Sequence, residues 1–432
     1  MPLTVHGSRA CIPSCHRYDF SRTQPRLTQP DLAPSVPARM HTAAATADLR
    51  IVVAEDLGRV SAADWNSLGA TPYPFLRHEF LRALETAGCL GERYGWIPQH
   101  LLAYRGTCLV GAAPLYLKSN SYGEFVFDWS WADAYRRNGL DYYPKLVSAA
   151  PYTPATGPKL LVPSSVGSTA VRHALADAAT RLADGLRVSS LHWLFSPTEE
   201  ADWLESAGLL RRTGCQFHWR NEGFADFDAF LATLSAEKRK KLKRERRRVA
   251  DDGVTFRLLH GSDAREGDWA FFHGLYADTF HRHGGIPTLS LDFFLRLAEQ
   301  VPESVLLVVA DHGRRAVAAA FCLVGTDTLY GRHWGCRETY HSLHFEACYY
   351  QGLEYCIRQR LARFEPGAQG EHKVSRGFLP TPTWSTHWIA DPRFRSAIEG
   401  FLAMESRAMS DYCAEMLSHS PYKARDDQHP AA

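Results

Sequence analysis

The chain has 432 residues, of which 45% are hydrophobic and 22% are charged, as expected for a soluble globular protein with room for two domains. Its formal net charge of +2 is too small for bulk charge to predict a nucleic-acid or membrane-surface binder. The chain lacks an apolar run near the roughly 20 residues that a membrane-spanning helix needs, so we expect no integral membrane association.

The cysteines and the first residues of the chain suggest a compartment. Ten cysteines are scattered without a CxxC pair, which favours free thiols in a reducing compartment over disulfides or a zinc site. We therefore predict no metal and a cytoplasmic location. Residues 1–48 are rich in proline and arginine and predict a disordered leader or an upstream extension. Their acid-poor composition also fits an organellar transit peptide within residues 1–39, which leaves an organelle as the alternative.

Helices and strands alternate from residue 49 onwards. In the first half they are predicted as strand 49–53, a helix capped by Ser61, a helix ending at Gly88, strands 98–105 and 108–117, helix 168–183, strand 188–195, helix 199–207 and strand 214–220. In the second half they are a basic helix at 235–250, helices 267–282 and 290–300, strands 304–310 and 315–324, a long helix at 342–361 and a last helix at 393–417.

An internal repeat is visible in this order. PFLRHEFLRALE at 74–85 resembles PTLSLDFFLRLAE at 287–299, and each is followed after a short loop by a pair of apolar strands. Two matches in the same order and at nearly the same separation indicate a duplicated unit. We therefore predict a mixed α/β fold with two similar domains, 49–221 and 222–418, followed by a disordered tail at 419–432.

Three segments concentrate residues that could carry chemistry. The aromatic, proline-broken stretch 121–162 is typical either of a small-molecule cleft or of an irregular core beneath a long loop. The second segment is the basic helix, in which nine of the eleven residues from Lys238 to Arg248 are Lys or Arg. Like charges at such spacing repel, so we favour a role facing the phosphates of a nucleotide or an RNA over a merely solvated face.

The third segment, 331–380, combines the long helix with a second strand expected to carry polar residues. Either His344 or Glu346 could act as a general base that takes a proton from an attacking amine. Lys373 or Arg376 could stabilise an oxyanion or anchor an anionic group. The alternative is structural: a buried ion pair such as Glu346 with Lys373.

These segments resemble a known family. The motifs GRHWGC, LHFEACYYQGLEY, FEPGAQGEHKVSRGFLPTPTWSTHW and YPKLVSAAPYTPATGPKLL are similar to those of the FemAB-like predicted N-acyltransferases of peptidoglycan biosynthesis and recognition. The resemblance covers about residues 50–418. It implies tandem acyltransferase domains of the GNAT type, each a mostly antiparallel mixed sheet flanked by helices. EHKVSRGF is also similar to the Phe-Lys…Phe-Gly strand of aminoacyl-transferring Fem proteins, with a different Lys-to-Phe spacing.

The resemblance further implies transfer of an acyl or aminoacyl group to an amine. The co-substrate would be acyl-CoA or aminoacyl-tRNA, with no tightly bound cofactor and with tRNA as a candidate partner. The acceptor would be a cell-wall precursor or a small metabolite. Implied catalytic residues are Glu346, His344 and Lys373; implied substrate contacts are Arg376, Glu371, His372, Trp334, Trp129, Trp131, Tyr152 and Lys145; implied phosphate or RNA contacts are Lys240, Lys241 and Arg244. The competing hypothesis is a non-catalytic protein that recognises a ligand in the same cleft.

Overall fold

The computed structural model describes residues 49–164, 167–338, 340–368 and 370–423. The predicted leader, 1–48, and the last part of the predicted tail, 424–432, lie outside the described residues. The first part of that tail is hydrogen-bonded to the body of the protein: the Ser235 amide donates to the Pro421 carbonyl over 2.9 Å, and the Tyr422 hydroxyl donates to the Gly377 carbonyl over 2.8 Å.

The described strands form two sheets. In chain order the strands are β1 (Leu49–Ala54), β2 (Trp96–Pro98), β3 (His100–Arg105), β4 (Cys108–Ala113), β5 (Tyr116–Lys118), β6 (Lys145–Ser148), β7 (Ser190–Ser196), β8 (Leu210–Arg220), β9 (Val254–His260), β10 (Val305–His312), β11 (Arg315–Val324), β12 (Thr328–Cys336), β13 (Arg363–Glu365) and β14 (Leu379–Ile389). One sheet has the order β1-β3-β4, and the other runs β2-β5-β6-β7-β14-β8-β13-β12-β11-β10-β9. The β6–β7 and β12–β13 pairs are parallel and the other pairs antiparallel, so the predicted mixed, mostly antiparallel architecture is confirmed.

The helices cover both sheets. They are α1 (Ala62–Trp65), α2 (His78–Thr86), α3 (Trp129–Arg137), α4 (Ser168–Gly185), α5 (Thr198–Ser206), α6 (Phe227–Thr233), α7 (Ala236–Asp251), α8 (Glu266–Arg282), α9 (Leu291–Gln300), α10 (Leu343–Phe345), α11 (Gln351–Gln359) and α12 (Pro392–Ser418). A π-helical turn, Glu346–Tyr350, joins α10 to α11. We call the continuous helical segment 343–359 the long helix.

Local signals explain where the helices begin and end. The Ser61 hydroxyl accepts the Asp64 amide over 3.0 Å, and the Ser290 hydroxyl accepts the Phe293 amide over 3.3 Å, as N-caps do. The basic helix α7 ends before Gly253, whose φ of 75° suits glycine. The long helix buries the apolar stripe expected from its 3.6-residue spacing, including Leu343, Ala347 and Leu353.

The duplicated unit is visible in the topology. Strands β1, β3 and β4 form an antiparallel meander, and β9, β10 and β11 form another. The matching helices α2 and α9 pack together, with the Phe80 and Phe293 ring centroids 5.5 Å apart in an edge-to-face arrangement. The two repeats therefore contact each other through equivalent helices.

The last strands of the two repeats are exchanged. Strand β14, from the second half, lies between β7 and β8 of the first, and β8 in turn pairs with β13. The large sheet is thus continuous across the predicted boundary at residue 221.

One segment has a conformation that the sequence did not predict. Glu371–Arg376, where Glu371, His372 and Lys373 were expected to follow a strand, forms a 3₁₀ helix between β13 and β14. Its Val374 and Arg376 side chains are buried beneath the long helix and α7, and this packing holds the segment in place.

Candidate active site

The candidate site surrounds an opening in the large sheet. Strands β12 and β13 pair in parallel at only three positions, the last joining Tyr330 to Glu365. Beyond it β12 continues to Cys336, whereas β13 ends at Glu365, so the ladder between the two strands stops there. The β11–β12 register also shifts between Phe321 and Cys322, so that Arg332 bulges out of the ladder. Such bulges change the direction of a side chain and are frequent beside active sites.

Four of the predicted residues border this opening on the side of the long helix. The His344 ring lies 5.5 Å from that of Trp334 on β12 and 6.2 Å from that of His372 on the 3₁₀ segment. His372 Nε2 is hydrogen-bonded to the Tyr349 hydroxyl over 2.8 Å. Lys373 follows, buried beside the turn after β13. We call Trp334, His344, Tyr349, His372 and Lys373 the helix-side cluster.

The electrostatics of this cluster are unusual. Burial lowers the pKa of His344 to about 4, and the nearby His372, Arg376 and Lys373 charges add to the effect. Burial also lowers the pKa of Lys373 to about 8, and its ammonium donates to the Gly367 carbonyl over 2.6 Å. A neutral imidazole therefore lies near a lysine whose proton is more easily lost than usual.

Glu346 lies away from the helix-side cluster. Its carboxylate accepts from Arg246 of α7 over 3.0–3.2 Å and from Gln351 over 2.7 Å. The same guanidinium contacts Glu354 at 2.9 and 3.0 Å. These groups line a cavity of about 510 Å³ between α6, α7 and the long helix. Burial raises the pKa of Glu346 although Arg246 opposes the shift. An ion pair for Glu346 was foreseen, but its partner is Arg246 and not Lys373.

Arg376 is enclosed by protein acceptors. Its guanidinium donates to Glu245 of α7 over 2.8 and 3.0 Å, to the Tyr350 hydroxyl over 3.1 Å and to the His372 carbonyl over 2.8 Å. It also lies 3.4 Å from the centroid of the Phe345 ring. Arg376 thus fixes α7 against the 3₁₀ segment, and a substrate contact for it stays a prediction. Glu371 is exposed and accepts from the Tyr412 hydroxyl over 3.1 Å.

The basic helix α7 has two different faces. Glu245 and Arg246 point inward to the ion pairs described above, and Lys241 Nζ lies 3.5 Å from Ser375 Oγ. Lys240 and Arg244 are exposed on the outer face. A polyanion could therefore reach Lys240 and Arg244, while Lys241 points towards the 3₁₀ segment that carries His372 and Lys373.

The first-half residues are placed in a buried polar network. Lys145 donates to Glu124 over 2.8 Å and to Ser121 over 2.9 Å, and it also pairs with Asp128. Burial would lower the pKa of Lys145, but the Glu124 and Asp128 carboxylates outweigh it and raise that pKa. Trp131 is buried against the rings of His192 and His387.

Trp129 and Tyr152 differ in their exposure. Trp129 is 43% exposed and packs against Tyr122 at 5.2 Å. Tyr152 is buried; its hydroxyl donates to the Cys89 carbonyl over 2.8 Å and its own carbonyl accepts from Arg332. Of the first-half residues predicted to contact substrate, Trp129 has the accessible side chain, and Tyr152 contacts the bulge of β12.

Sequence reasoning missed three residues at the opening: Glu365, His218 and Arg332. Glu365 ends the short strand β13, and its place directly before Pro366 and Gly367, where a strand must stop, was the signal that could have identified it. His218 and Arg332 sit within strand patterns, where nothing local distinguishes them from ordinary strand residues. Within the described ranges, no group of three or more His, Cys, Asp or Glu side chains is arranged to hold a metal ion.

Comparisons with solved structures show distant likenesses. FemX shares 11% identity over 75% of this chain and 94% of its own, with a TM-score of 0.46. L-PGS from Bacillus licheniformis shares 11% identity over 76% and 96%, with a TM-score of 0.47. A tandem GNAT protein from the clavulanic acid biosynthesis pathway shares 13% identity over 80% and 99%, with a TM-score of 0.42. At such identities and scores we transfer no residue role from them.

Sequence comparison identifies the family. No curated protein matches the chain. Across the part of the chain that the structure describes, a helix long and apolar enough to span a membrane is absent. A family model described as peptidoglycan biosynthesis/recognition matches residues 56–424, which is most of the chain. The chain therefore belongs to the FemAB-like family, as its motifs predicted.

Proposed function

We propose that this protein is an N-acyltransferase that moves an acyl or aminoacyl group from an activated donor to an amine. The observation that carries the proposal is the helix-side cluster, where a neutral histidine and a buried lysine flank the opening between β12 and β13. The family, with its link to peptidoglycan biosynthesis, supports an acceptor of cell-wall precursor type, and a small metabolite amine fits the same chemistry.

Lys373 is suited to the oxyanion that forms when an amine attacks a carbonyl. Its ammonium has a backbone carbonyl as its hydrogen-bond partner, and none of the described carboxylates lies within ion-pair distance to compete for the charge. A preorganised cation at a developing oxyanion is worth about 3 kcal/mol, or roughly a hundredfold to a thousandfold in rate. Most Lys373 side chains are protonated near pH 7 because the pKa stays at about 8.

His344 is better placed than Glu346 for proton transfer at the reacting carbonyl. Its imidazole is neutral at pH 7, since its pKa lies near 4, and so it has a lone pair to offer. The carboxylate of Glu346 is instead occupied by Arg246 and Gln351. In this scheme the amine nitrogen forms the C–N bond, and His344 accepts the proton which that nitrogen then loses. The same proton passes to the leaving group as the bond to the donor breaks.

The basic helix α7 offers a binding surface for the donor. The exposed cations Lys240 and Arg244 can bind phosphates either of coenzyme A or of the acceptor end of a tRNA, and Lys241 extends that charge towards the cluster. On the acceptor side, exposed Trp129 with Tyr122 offers an aromatic wall for the remainder of the substrate.

Separate variants test the assignment. Purified protein is incubated with acyl-CoA and aminoacyl-tRNA donors and an amine panel, and products are detected by mass spectrometry. Lys373→Met and His344→Ala should each lose acyl transfer. Glu346→Gln should affect the transfer rate only indirectly, by weakening the contact between residue 346 and Arg246. If all three variants kept full turnover, the catalytic assignment would be wrong. If the wild-type protein bound a ligand but transferred no group from any donor, the recognition hypothesis would replace this one.

A further inference from the structure

A second set of polar groups borders the same opening from the opposite face of the sheet. Phe364 packs against Phe378 in the core beneath the long helix, with ring centroids 5.4 Å apart. Because successive strand residues point to opposite faces, Glu365 points away from the helix and towards the first half of the chain. Glu365 is 6% exposed, and among the described residues its Oε2 atom has no hydrogen-bond partner. An unpartnered carboxyl oxygen is costly to bury, which makes it a candidate contact for a ligand group.

His218 supplies a second free acceptor beside Glu365. The Gln216 amide nitrogen donates to the Pro154 carbonyl over 2.8 Å, which leaves its Oε1 atom to accept from His218 Nε2 over 3.1 Å. The neutral ring must then carry its proton on Nε2, so Nδ1 has a lone pair. That Nδ1 atom lies 3.9 Å from Glu365 Oε1, too far for a hydrogen bond. Burial lowers the pKa of His218 to about 3, so the ring stays neutral.

Glu365 is mostly protonated near pH 7 in the folded protein. Burial raises its pKa to about 8, although Arg363 and a backbone hydrogen bond from Thr156 oppose the shift. The titratable or charged groups that face it are Arg363, Arg332, Asp327, Tyr330 and His218. Arg332, on the bulge of β12, retains accessible surface and donates to the Tyr152 carbonyl. The region therefore has one carboxyl oxygen, Glu365 Oε2, and one imidazole lone pair that lack donors, and it lies beside the bulge of β12.

We propose that Glu365 and His218 form the subsite for the acceptor amine, and that Glu365 removes the first proton from its ammonium form. The proposal rests on the proposed function. An amine enters as R–NH₃⁺, and its charge favours the ionised form of Glu365. The ammonium group donates hydrogen bonds to Glu365 Oε2 and His218 Nδ1. One N–H bond breaks and the proton moves to the carboxylate, which leaves R–NH₂ with a free electron pair. This pair attacks the acyl carbon, and the second proton leaves by way of His344 with the departing group.

Amine binding can be tested without any donor. In full-length protein labelled with ¹³C at the glutamate carboxyls, the Glu365 resonance is the one missing from the Glu365→Gln spectrum. Titration with n-butylammonium chloride should lower the pH at which that resonance titrates, because a bound cation favours the carboxylate. Tetramethylammonium chloride, which has no N–H donor, should leave the titration unchanged.

The second test measures the rate of acyl transfer in Glu365 variants. Glu365→Gln should lower kcat/KM for transfer by about a hundredfold to ten-thousandfold near pH 7, and the loss should shrink at high pH, where the amine is already neutral. Glu365→Asp should recover part of the rate. The matched control is Glu303→Gln, a surface glutamate with a side chain 66% exposed, which should keep the wild-type rate.

The amine titration and the rate measurement together distinguish a failure of this inference from a failure of the proposed function. If the wild-type protein transfers acyl groups and Glu365→Gln keeps its rate and pH profile, the inference fails and the function stands. If no transfer occurs but n-butylammonium shifts the Glu365 titration, the amine subsite stands and the function fails. An unshifted titration together with an unchanged rate would overturn the subsite.

Discussion

At the scale of single residues, buried ion pairs decide which charged groups remain available for chemistry. Glu245 and Arg376 have side-chain exposures of 8% and 2% and bind each other, while Arg246 joins Glu346 to Glu354. All of these charges connect α7 to the long helix or to the 3₁₀ segment. The residues left without a carboxylate or guanidinium partner, His344 and Lys373, are those to which we assign the chemistry.

The Arg376–Glu245 pair leads to a stability prediction. Arg376→Met should lower the free energy of unfolding by about 3–5 kcal/mol, because Glu245 would be buried without its cation. The double variant Arg376→Met/Glu245→Leu should recover much of that loss, since neither charge remains. Urea denaturation followed by circular dichroism measures both. A double variant no more stable than Arg376→Met would contradict the pairing.

Glu365 gives a pH-dependence prediction. Between its ordinary pKa of 4.5 and its folded pKa of about 8, the unfolded chain has lost this proton and the folded chain retains it. The folded state binds more protons in that window, so the free energy of unfolding falls as the pH rises through it, by at most about 1.4 kcal/mol per pH unit. Glu365→Gln should flatten this fall and be more stable than wild type at pH 8. Melting temperatures from pH 5 to pH 9 check this, and parallel wild-type and variant curves would contradict it.

Residue pairing was the least predictable part of the site. The sequence identified the crowded segment 331–380 and named Trp334, His344, His372 and Lys373, which the fold brings together. It could not assign Arg246 to Glu346, because that contact joins residues 100 positions apart on separate helices. Glu365 and His218 were missed for the same reason, since they come close to each other only through the β8–β13 pairing.

At the scale of elements, most helices were predictable because each buries one face at the helical period. The basic helix, the long helix and the last helix all lie within a few residues of their predicted bounds. The 3₁₀ segment was not predictable, since its conformation follows from Arg376 reaching Glu245 and Lys373 reaching the Gly367 carbonyl. Local preference is weak there, and tertiary contacts decide the structure.

The outer face of α7 allows a test of the donor. Lys240→Glu/Arg244→Glu should leave the fold intact because both side chains are exposed. If tRNA is the donor, its dissociation constant should rise about tenfold or more, and the salt dependence of binding should weaken by roughly one to two ion equivalents. A matched double reversal at the exposed Arg59 and Arg314 serves as the control. Unchanged tRNA binding in the first variant would rule out this surface as the RNA contact.

At the scale of the whole molecule, the exchange of β8 and β14 joins the two repeats. The internal repeat was readable from the sequence because it preserves local patterns. The exchange was not, because β14 pairs with β7, a strand that lies almost half the chain earlier, and no local pattern records such a pairing. Tyr152 of the first half also accepts a hydrogen bond from Arg332 of the second half.

This continuity predicts cooperative unfolding. Strands β7 and β10 should lose hydrogen-exchange protection at the same urea concentration, because β14 and β8 tie the two ends of the large sheet together. Native-state exchange read by mass spectrometry measures both strands in one experiment. Protection that persisted in β10 after β7 had exchanged would show that the two halves unfold independently.

The central claim is that His344 and Lys373, beside the opening between β12 and β13, catalyse acyl transfer to an amine. The most direct measurement is the rate of amide formation, followed by mass spectrometry, for wild-type protein and for Lys373→Met with the same donor and amine. We predict amide product from the wild-type protein and a rate about a hundredfold to a thousandfold lower from the variant, whose circular dichroism spectrum should be unchanged. A folded Lys373→Met protein that forms amide at the wild-type rate would contradict the account.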